Sequence, residues 1–440
     1  MVFSQDEQES LLYDVRLSSV GPGRGSGSDI FHHPNGLDLA LKLHYFKVVY
    51  LFDSEAAQDL NITKIKDSVF NLFNHYIVTC GRFRRSEAGR PFIKCNDCGA
   101  RLAEVRCTKT LDEWVDMKDW SSYKLLVSQQ AIGPELSFSP SVHLQVTQFK
   151  CGGVAIGLSW ANVMGDPHSA SDFMIKWGDF FNNLNLKMPY TIPRSIPTPL
   201  NLEGPEKDPV TVKRVDSVGD HWILANNKKM DSFSFHITNS QMNNLKEHIW
   251  GSSVENNPSF ESLCAIIWRC IARVREGSKL TTVTVCRSDP NGRGNDIIGN
   301  DQLICKVDAG NDCSIVDTNL KTLARLLVEQ GIDERKQIEE IVDKDQGATD
   351  FFVYGANLTF LNLEDVNVYD FELRRKKPIF VYYTLQGVGD EGAVLVLPWS
   401  RGHNKSDIDG KFVTIILPED EMVKVKDELK MNGVMVDGDF

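Results

Sequence analysis

The sequence of 440 residues lacks an excess of basic side chains: 48 Lys and Arg stand against 60 Asp and Glu, a net charge of −12. A general affinity for nucleic acid is therefore not expected, because binding to phosphates needs a basic surface. Low-complexity tracts are also absent, and a hydrophobic content of 42% with 23 Phe and 8 Trp is enough for a large core. These values predict an ordinary globular protein rather than a disordered one.

Long hydrophobic runs are missing as well. Stretches such as Ala393 to Leu397 have the length of a core strand, far short of the ~20 residues that span a bilayer. The first ten residues, MVFSQDEQES, are polar and acidic and do not have the pattern of a signal peptide. Ten cysteines at irregular spacing in such a chain predict reduced thiols in the cytosol.

Motifs for nucleotides and metals are scarce. No GxGxxG follows a strand-like segment, and the GxxxxGK(S/T) phosphate loop does not occur. Cys95 and Cys98 form a CxxC, but a single pair without a nearby His pair is a weak zinc signal, and the pattern favours a tight turn at Asn96-Asp97. We therefore expect no metal site and no required cofactor.

Local patterns predict strands and helices interspersed along the chain. Residues 1–35 are polar and glycine-rich and are expected to be flexible. Apolar spacing predicts a helix at Ile62 to Phe73, and alternation predicts a β-hairpin at Val142 to Trp160. After this hairpin, Asp166 is the expected N-cap of a helix and Pro167 its first residue.

The proline-rich segment 187–215 is the expected crossover between two domains, a first at 36–186 and a second at 216–440. Short hairpins and few regular βαβ intervals favour mixed α/β sheets over a Rossmann fold.

The sequence after the hairpin carries a family resemblance. GLSWANVMGDP at 157–167, preceded by QVTQFKCGG, resembles the catalytic strand and turn of the BAHD acyl-CoA-dependent acyltransferases of plants. Further family-like blocks follow the family order over about residues 15–430, namely LDLALKLHY, CGRF, IKCNDCGA, SFESLCAIIWRC, Gly299-Asn300 and GANLTFLNL. The resemblance implies two chloramphenicol-acetyltransferase-like domains, each a mixed sheet flanked by helices, with the site at their interface.

The family's H-x-x-x-D motif is incomplete here. Its His is the general base that takes a proton from the acceptor, and its Asp mainly holds the turn; these positions are Asn162 and Asp166. An Asn amide is not basic near neutral pH, so the general-base contribution of ~10²–10⁴-fold should be lost. His168 and Asp172 also spell H-x-x-x-D, but they lie beyond Pro167, where His168 is expected to cap the helix or face solvent.

The family's second motif, D-F-G-W-G, has changed as well. Ungapped alignment through Lys377-Pro378 places Glu372, Leu373, Arg374, Arg375 and Lys376 at its five positions. Two departures together predict a vestigial site without catalytic residues. The basic run 374–377 is interpreted as a solvated hairpin turn, with contact to anionic headgroups or to an acidic partner as the alternative.

Among BAHD-like proteins, this chain is most similar to the eceriferum/Glossy-type subgroup of plant cuticular wax synthesis. The resemblance implies a non-catalytic accessory that promotes elongation of very-long-chain fatty acids with a 3-ketoacyl-CoA synthase. It implies a cytosolic monomer, apart from that partner, peripherally associated with the endoplasmic reticulum, with acyl-CoA as a conceivable ligand. The alternatives are a BAHD-type O- or N-acyltransferase with a degenerate site, and a scaffold that binds no ligand.

Overall fold

The computed structural model describes residues 11–27, 29–183, 193–195, 208–251, 257–275, 280–291, 298–400 and 408–435. Its strands are β1 (Leu12–Val20), β2 (Phe31–His32), β3 (Tyr45–Phe52), β4 (Arg82–Arg85), β5 (Pro91–Lys94), β6 (Ala100–Cys107), β7 (Val142–Gln148), β8 (Val154–Ala161), β9 (Lys213–Val215), β10 (Met230–Thr238), β11 (Thr282–Arg287), β12 (Leu303–Asp308), β13 (Ile332–Asp333), β14 (Asp350–Phe352), β15 (Leu358–Asn362), β16 (Phe380–Gln386), β17 (Ala393–Ser400) and β18 (Ile408–Pro418). Its α-helices are α1 (Gly36–Ala40), α2 (Ile62–Phe73), α3 (Leu111–Val115), α4 (Pro167–Phe181), α5 (Asn239–Trp250), α6 (Ser259–Val274), α7 (Leu320–Glu329), α8 (Arg335–Lys344) and α9 (Met422–Met431).

Two large mixed sheets with flanking helices form the architecture, as the sequence predicts, and two small sheets, β2-β5-β4 and β14-β9, accompany them in the described residues. The first sheet has the strand order β1-β6-β7-β8-β3-β16, with β6 and β7 parallel and the other pairs antiparallel. The second has the order β10-β18-β17-β15-β11-β12-β13, with β15 parallel to both β11 and β17. Every residue of β3 is buried, which explains why its sequence is apolar on both faces, apart from Lys47, rather than alternating.

The hairpin β7-β8 and the helix after it form where the sequence predicts them. Val142 pairs with Trp160 and Gln148 with Val154 across the hairpin. Helix α4 begins at Pro167, and the Asp166 side chain accepts a hydrogen bond from Ser169 N at 3.0 Å. This N-cap fixes the direction in which the chain leaves the sheet edge.

The expectation of a flexible segment over residues 1–35 is wrong for its described part. Strand β1 pairs with β6 from Leu12 to Val20, and Phe31–His32 pairs with β5. The glycines that suggested flexibility permit close contact: Gly23 N donates to Phe70 O at 3.2 Å, and a Cβ on Gly23 would lie 2.4 Å from the Phe70 ring. Glycine content alone did not distinguish close packing from mobility.

Chain order does not separate the two sheets completely. Strand β16 lies within the predicted second domain, 216–440, yet it pairs with β3 from Phe380↔Leu51 to Gln386↔Tyr45 and is an edge of the first sheet. All seven strands of the second sheet come from the range 216–440. Most of the predicted crossover at 187–215 lies outside the described residues, so the boundary itself stays a prediction.

Candidate functional site

Asn162 lies where strand β8 ends, in a single 3₁₀ turn at Asn162–Met164. Its backbone is held from both halves of the chain: Asn162 N donates to His44 O at 2.9 Å, and Asn300 Nδ2 donates to Asn162 O at 2.8 Å. The residue has no exposed surface. The turn therefore places residue 162 in the contact between the first sheet and the segments that lead into the second.

The Asn162 side chain meets the hydroxyl of Tyr354. Its Nδ2 donates to Tyr354 Oη at 3.2 Å, and Gln302 Nε2 donates to the same oxygen. Asn162 Oδ1 has no hydrogen-bond partner among the described residues. Since a hydroxyl carries one proton, a half-turn of the amide would let Tyr354 donate to Oδ1 instead, and in either orientation the amide contacts the phenol.

The groups around Asn162 do not supply a base. Complete burial raises the pKa of the Tyr354 hydroxyl well above its ordinary value, so the phenol stays neutral. Burial also lowers the pKa of His44 to about 3. The His44 Nε2 atom accepts from Val353 N at 3.0 Å and from Tyr354 N at 3.3 Å, so its lone pair is already used.

The Asp166 carboxylate makes hydrogen bonds that hold the turn, which is the role that the family resemblance implies for this position. One carboxylate oxygen caps α4, and the other accepts from Asp301 N at 3.1 Å. Asp166 N donates to Gly299 O at 3.1 Å, and Ser169 Oγ donates to the same carbonyl at 3.0 Å. The carboxylate thus ties the turn after β8 to the segment 299–301.

A buried polar network continues from Asn162 to residues that sequence reasoning missed. Asn300 Nδ2 donates to Asp38 Oδ1 at 2.9 Å as well as to Asn162 O. Asp38 also forms an ion pair with Arg194 at 2.5 Å, and Arg194 reaches Ile298 O at 3.3 Å. Gly299-Asn300 was noted only as a family block, and nothing in the local pattern of Asp38 or Arg194 pointed to this network.

The segment at the D-F-G-W-G positions forms a tight turn. Leu373 N donates to Lys376 O at 3.0 Å and Lys376 N to Leu373 O at 2.9 Å, which leaves Arg374 and Arg375 as the two turn residues. Both have positive φ, 52° and 61°. Such turns favour Asn-Gly, so two arginines here cost backbone energy. The interpretation of this segment as a hairpin turn is confirmed.

The turn is anchored on α4. Phe371 stacks on Trp177 with ring centroids 5.4 Å apart, and Asn182 Nδ2 donates to Glu372 O at 3.2 Å. Gly178 allows this contact, because a Cβ there would lie 2.8 Å from Glu372 O. The segment therefore supports α4 through packing, and Leu373 adds a side chain that is only 1% exposed.

Two of the four basic side chains of the run 374–377 form ion pairs within the chain, and a third donates to a neutral amide. Lys376 pairs with Glu55 at 2.9 Å, Lys377 with Asp370 at 2.8 Å, and Arg374 Nη1 donates to Gln58 Oε1 at 2.8 Å. The alternative interpretation, contact with an anionic membrane or an acidic partner, therefore rests on the exposed Arg374 and Arg375.

The second H-x-x-x-D pattern begins within α4, and the cap of this helix comes from Asp166 rather than from His168. His168 is in the first turn of α4, half-buried, and its Nε2 lies 2.6 Å from Ser288 Oγ. Cys95 and Cys98 flank a turn in which Asp97 has φ 55° and accepts from Ser26 N at 2.8 Å. Burial raises the pKa of the Cys95 thiol to about 12. Neither pattern belongs to a cluster of three or more His, Cys, Asp or Glu side chains that could hold a metal ion in the described residues.

The fold, the turn after β8 and the tight turn at 373–376 together define a protein of the BAHD acyltransferase type. A model of the Transferase family matches residues 35–432, and the chain belongs to this family. Within it the chain falls in the eceriferum subgroup: it is 41% identical to Protein ECERIFERUM 26-like and 39% identical to Protein ECERIFERUM 26, both of Arabidopsis thaliana, over 98% of each chain.

A solved structure confirms the fold. The crystal structure of vinorine synthase superposes with a TM-score of 0.70 at 17% identity and covers 96% of this chain and 98% of its own. At this identity the likeness concerns the fold alone. The expectation of a mixed α/β fold of this type is therefore confirmed, and no helix of the described residues is long and apolar enough to cross a membrane.

Proposed function

We propose that this protein is a non-catalytic, BAHD-like accessory that promotes elongation of very-long-chain fatty acids for cuticular wax, acting with a 3-ketoacyl-CoA synthase. The observation that carries the proposal is the buried contact of Asn162 with Tyr354 at the position where the family has its general base. An amide there cannot accept the acceptor's proton, and the ~10²–10⁴-fold contribution of that step is absent.

The turn at 373–376 supports the same proposal. In the family this segment carries D-F-G-W-G; here Arg374 and Arg375 occupy a strained turn whose neighbours Phe371 and Leu373 pack into the core. The segment is a well-packed tight turn closed between Leu373 and Lys376, and its tip carries arginines where the family has Gly and Trp. A turn that is well packed but has lost the D-F-G-W-G side chains is what we expect in a protein selected for binding rather than for turnover. The similarity to the ECERIFERUM proteins points the same way.

The chemistry of chain extension must come from a partner. Condensation needs an activated nucleophile to hold the acyl group. Burial raises the thiol pKa of Cys264 and Cys286 well above the ordinary value and that of Cys270 to about 12, so these thiols are poor nucleophiles. A membrane-bound condensing enzyme would supply the nucleophile at the cytosolic face of the endoplasmic reticulum, and this protein would associate there peripherally.

Co-expression with a synthase tests the proposal. A yeast host that lacks cuticular wax receives the synthase alone, this protein alone, or both, and the chain lengths of its fatty acids are measured. We expect longer products only when both are present. The same length distribution with and without this protein, across several synthases, would contradict the accessory role.

Two further arms separate the alternatives. Asn162→Ala should retain the lengthening effect, because the amide has no chemical task; complete loss in a well-folded variant would contradict this. Purified protein incubated with acyl-CoA and a series of alcohols and amines should release CoA only at the background rate. Acceptor-dependent release well above background would identify the protein as an acyltransferase instead.

A further inference from the structure

A cavity of about 270 Å³ lies where β3 and β16 of the first sheet meet β10 of the second. It has room for on the order of nine groups the size of a water molecule. One part of its wall is apolar and includes Leu43, Trp222, Leu224, Met230, Leu385 and Ile416. Asn162 is not among its lining residues. On β3, Tyr45 and Lys47 line this cavity, whereas the ring of Phe46, on the alternate face, lies 6.1 Å from that of Tyr354.

Lys47 is the unusual residue of this cavity. It is opposite Ser159 on β8 and Thr384 on β16, and it is only 1% exposed. Its Nζ donates to Ser159 Oγ at 2.7 Å and to Ser128 O at 2.8 Å. These two acceptors are neutral, and they leave one of the three protons of an ammonium group without a protein acceptor in the described residues.

No carboxylate of the described residues balances the charge of Lys47. The acid in the cavity wall, Asp231, lies 3.7 Å from Lys124 Nζ, and both of these side chains are exposed. Burial without a counter-ion lowers the pKa of Lys47 to about 7. A buried ammonium is costly unless an anion pairs with it, so the cavity beside it favours an anionic group.

We infer that this cavity binds an amphiphile with a single carboxylate, whose head group pairs with Lys47 and whose chain lies against Trp222, Leu224 and Met230. The carboxylate supplies the missing counter-charge and accepts the remaining proton of the ammonium. The apolar wall buries the chain, and each methylene removed from water contributes ~0.8 kcal/mol. The site is independent of the proposed accessory function.

The buried Tyr45 and His143 near Lys47 stay neutral at neutral pH. Burial raises the pKa of the Tyr45 hydroxyl far above neutrality and lowers that of His143, opposite Ser159 on β7, to about 3. Arg101 lies opposite His143 on the neighbouring strand β6. Binding of a carboxylate should therefore be accompanied by uptake of a proton by Lys47 alone.

Calorimetric titration with octanoate and with 1-octanol tests the inference. At pH 7.5 we expect octanoate to bind one to one and at least tenfold more tightly than octanol. The heat of octanoate binding should vary with the ionisation enthalpy of the buffer, because the protein takes up a proton. The variant Lys47→Met should reduce octanoate affinity to that for octanol. Absence of octanoate binding to the wild-type protein, or equal affinities for the two ligands, would overturn the inference.

Three variants complete the experiment. Lys124→Met removes an exposed cation from the same cavity and should change octanoate affinity less than twofold; a loss as large as that of Lys47→Met would show that the rim, and not the buried lysine, binds the anion, and would overturn the inference. Asn162→Ala, after the end of β8 and outside the cavity lining, should leave binding unchanged. Lys47→Arg keeps the positive charge, and a Lys47→Arg protein with the wild-type unfolding temperature should bind octanoate. A correctly folded Lys47→Met protein with wild-type affinity for octanoate would overturn the inference.

Discussion

The substitution Asn162→His recreates H-x-x-x-D in this chain, and we expect it to destabilise the protein without creating a transferase. Asn162 has no exposed surface, and its side chain contacts Tyr354 Oη at 3.2 Å. An imidazole is larger than the amide, and overpacking of a filled site costs about 1–3 kcal/mol. Loss of the hydrogen bond adds about 1 kcal/mol. The free energy of unfolding should therefore fall by about 2–4 kcal/mol.

This loss converts into a small change in unfolding temperature, because the chain is long. An unfolding entropy of about 2.1 cal/mol/K per residue amounts to about 0.9 kcal/mol/K for 440 residues. The midpoint should therefore fall by about 2–4 °C in a thermal melt. Asn162→Ala is the matched control: it loses the same hydrogen bond but is not overpacked, so its midpoint should fall less.

The new imidazole would also be a weak base. Burial lowers the pKa of neighbouring His44 to about 3, and a histidine at 162 would lie in the same dry surroundings. Thiol release from acyl-CoA, measured with alcohol and amine acceptors, should stay at background for Asn162→His. Turnover well above background would refute the view that the altered turn at 373–376 prevents catalysis. An unchanged unfolding temperature would refute the packing estimate.

Replacing Arg374-Arg375 by Asn-Gly should raise the unfolding midpoint by about 1–2 °C. The positive φ angles of 52° and 61° suit Asn-Gly, so the substitution removes about 1–2 kcal/mol of backbone strain. A lowered midpoint would show that the arginine contacts outweigh this strain. In the native protein only the exposed thiols of Cys98 and Cys151 should react rapidly with a thiol reagent, and the buried cysteines should react only on unfolding. Burial lowers the pKa of His143 from 6.5 to about 3, so the unfolded chain gains a proton that the folded chain does not; the free energy of unfolding should decrease as the pH falls from 6.5 towards 3, and urea titrations of His143→Gln should show a weaker decrease.

Short-range patterns were enough to predict several parts of the site. The hairpin, the cap at Asp166 and the start of α4 at Pro167 involve residues within a few positions of one another, and the structure has them at those places. The same holds for the turn at 373–376, whose two hydrogen bonds join residues three apart. The expected flexibility of residues 1–35 was wrong for β1, because its partner β6 begins 80 positions further along the chain.

The sequence by itself determined which residues replace those of the family's two motifs, since Asn162 and Arg374-Arg375 are identified by motif alignment alone. Only the tertiary structure decided what surrounds them. Tyr354 lies 192 positions from Asn162 in the chain, and β16 joins the first sheet beside β3 although more than 320 residues separate them. Likewise, a lysine in a strand is ordinarily exposed, and only the neighbouring strands β8 and β16 and the segment at Ser128 bury Lys47 beside a cavity. The physical reason is that burial and partner choice depend on contacts between distant segments, which local periodicity does not encode.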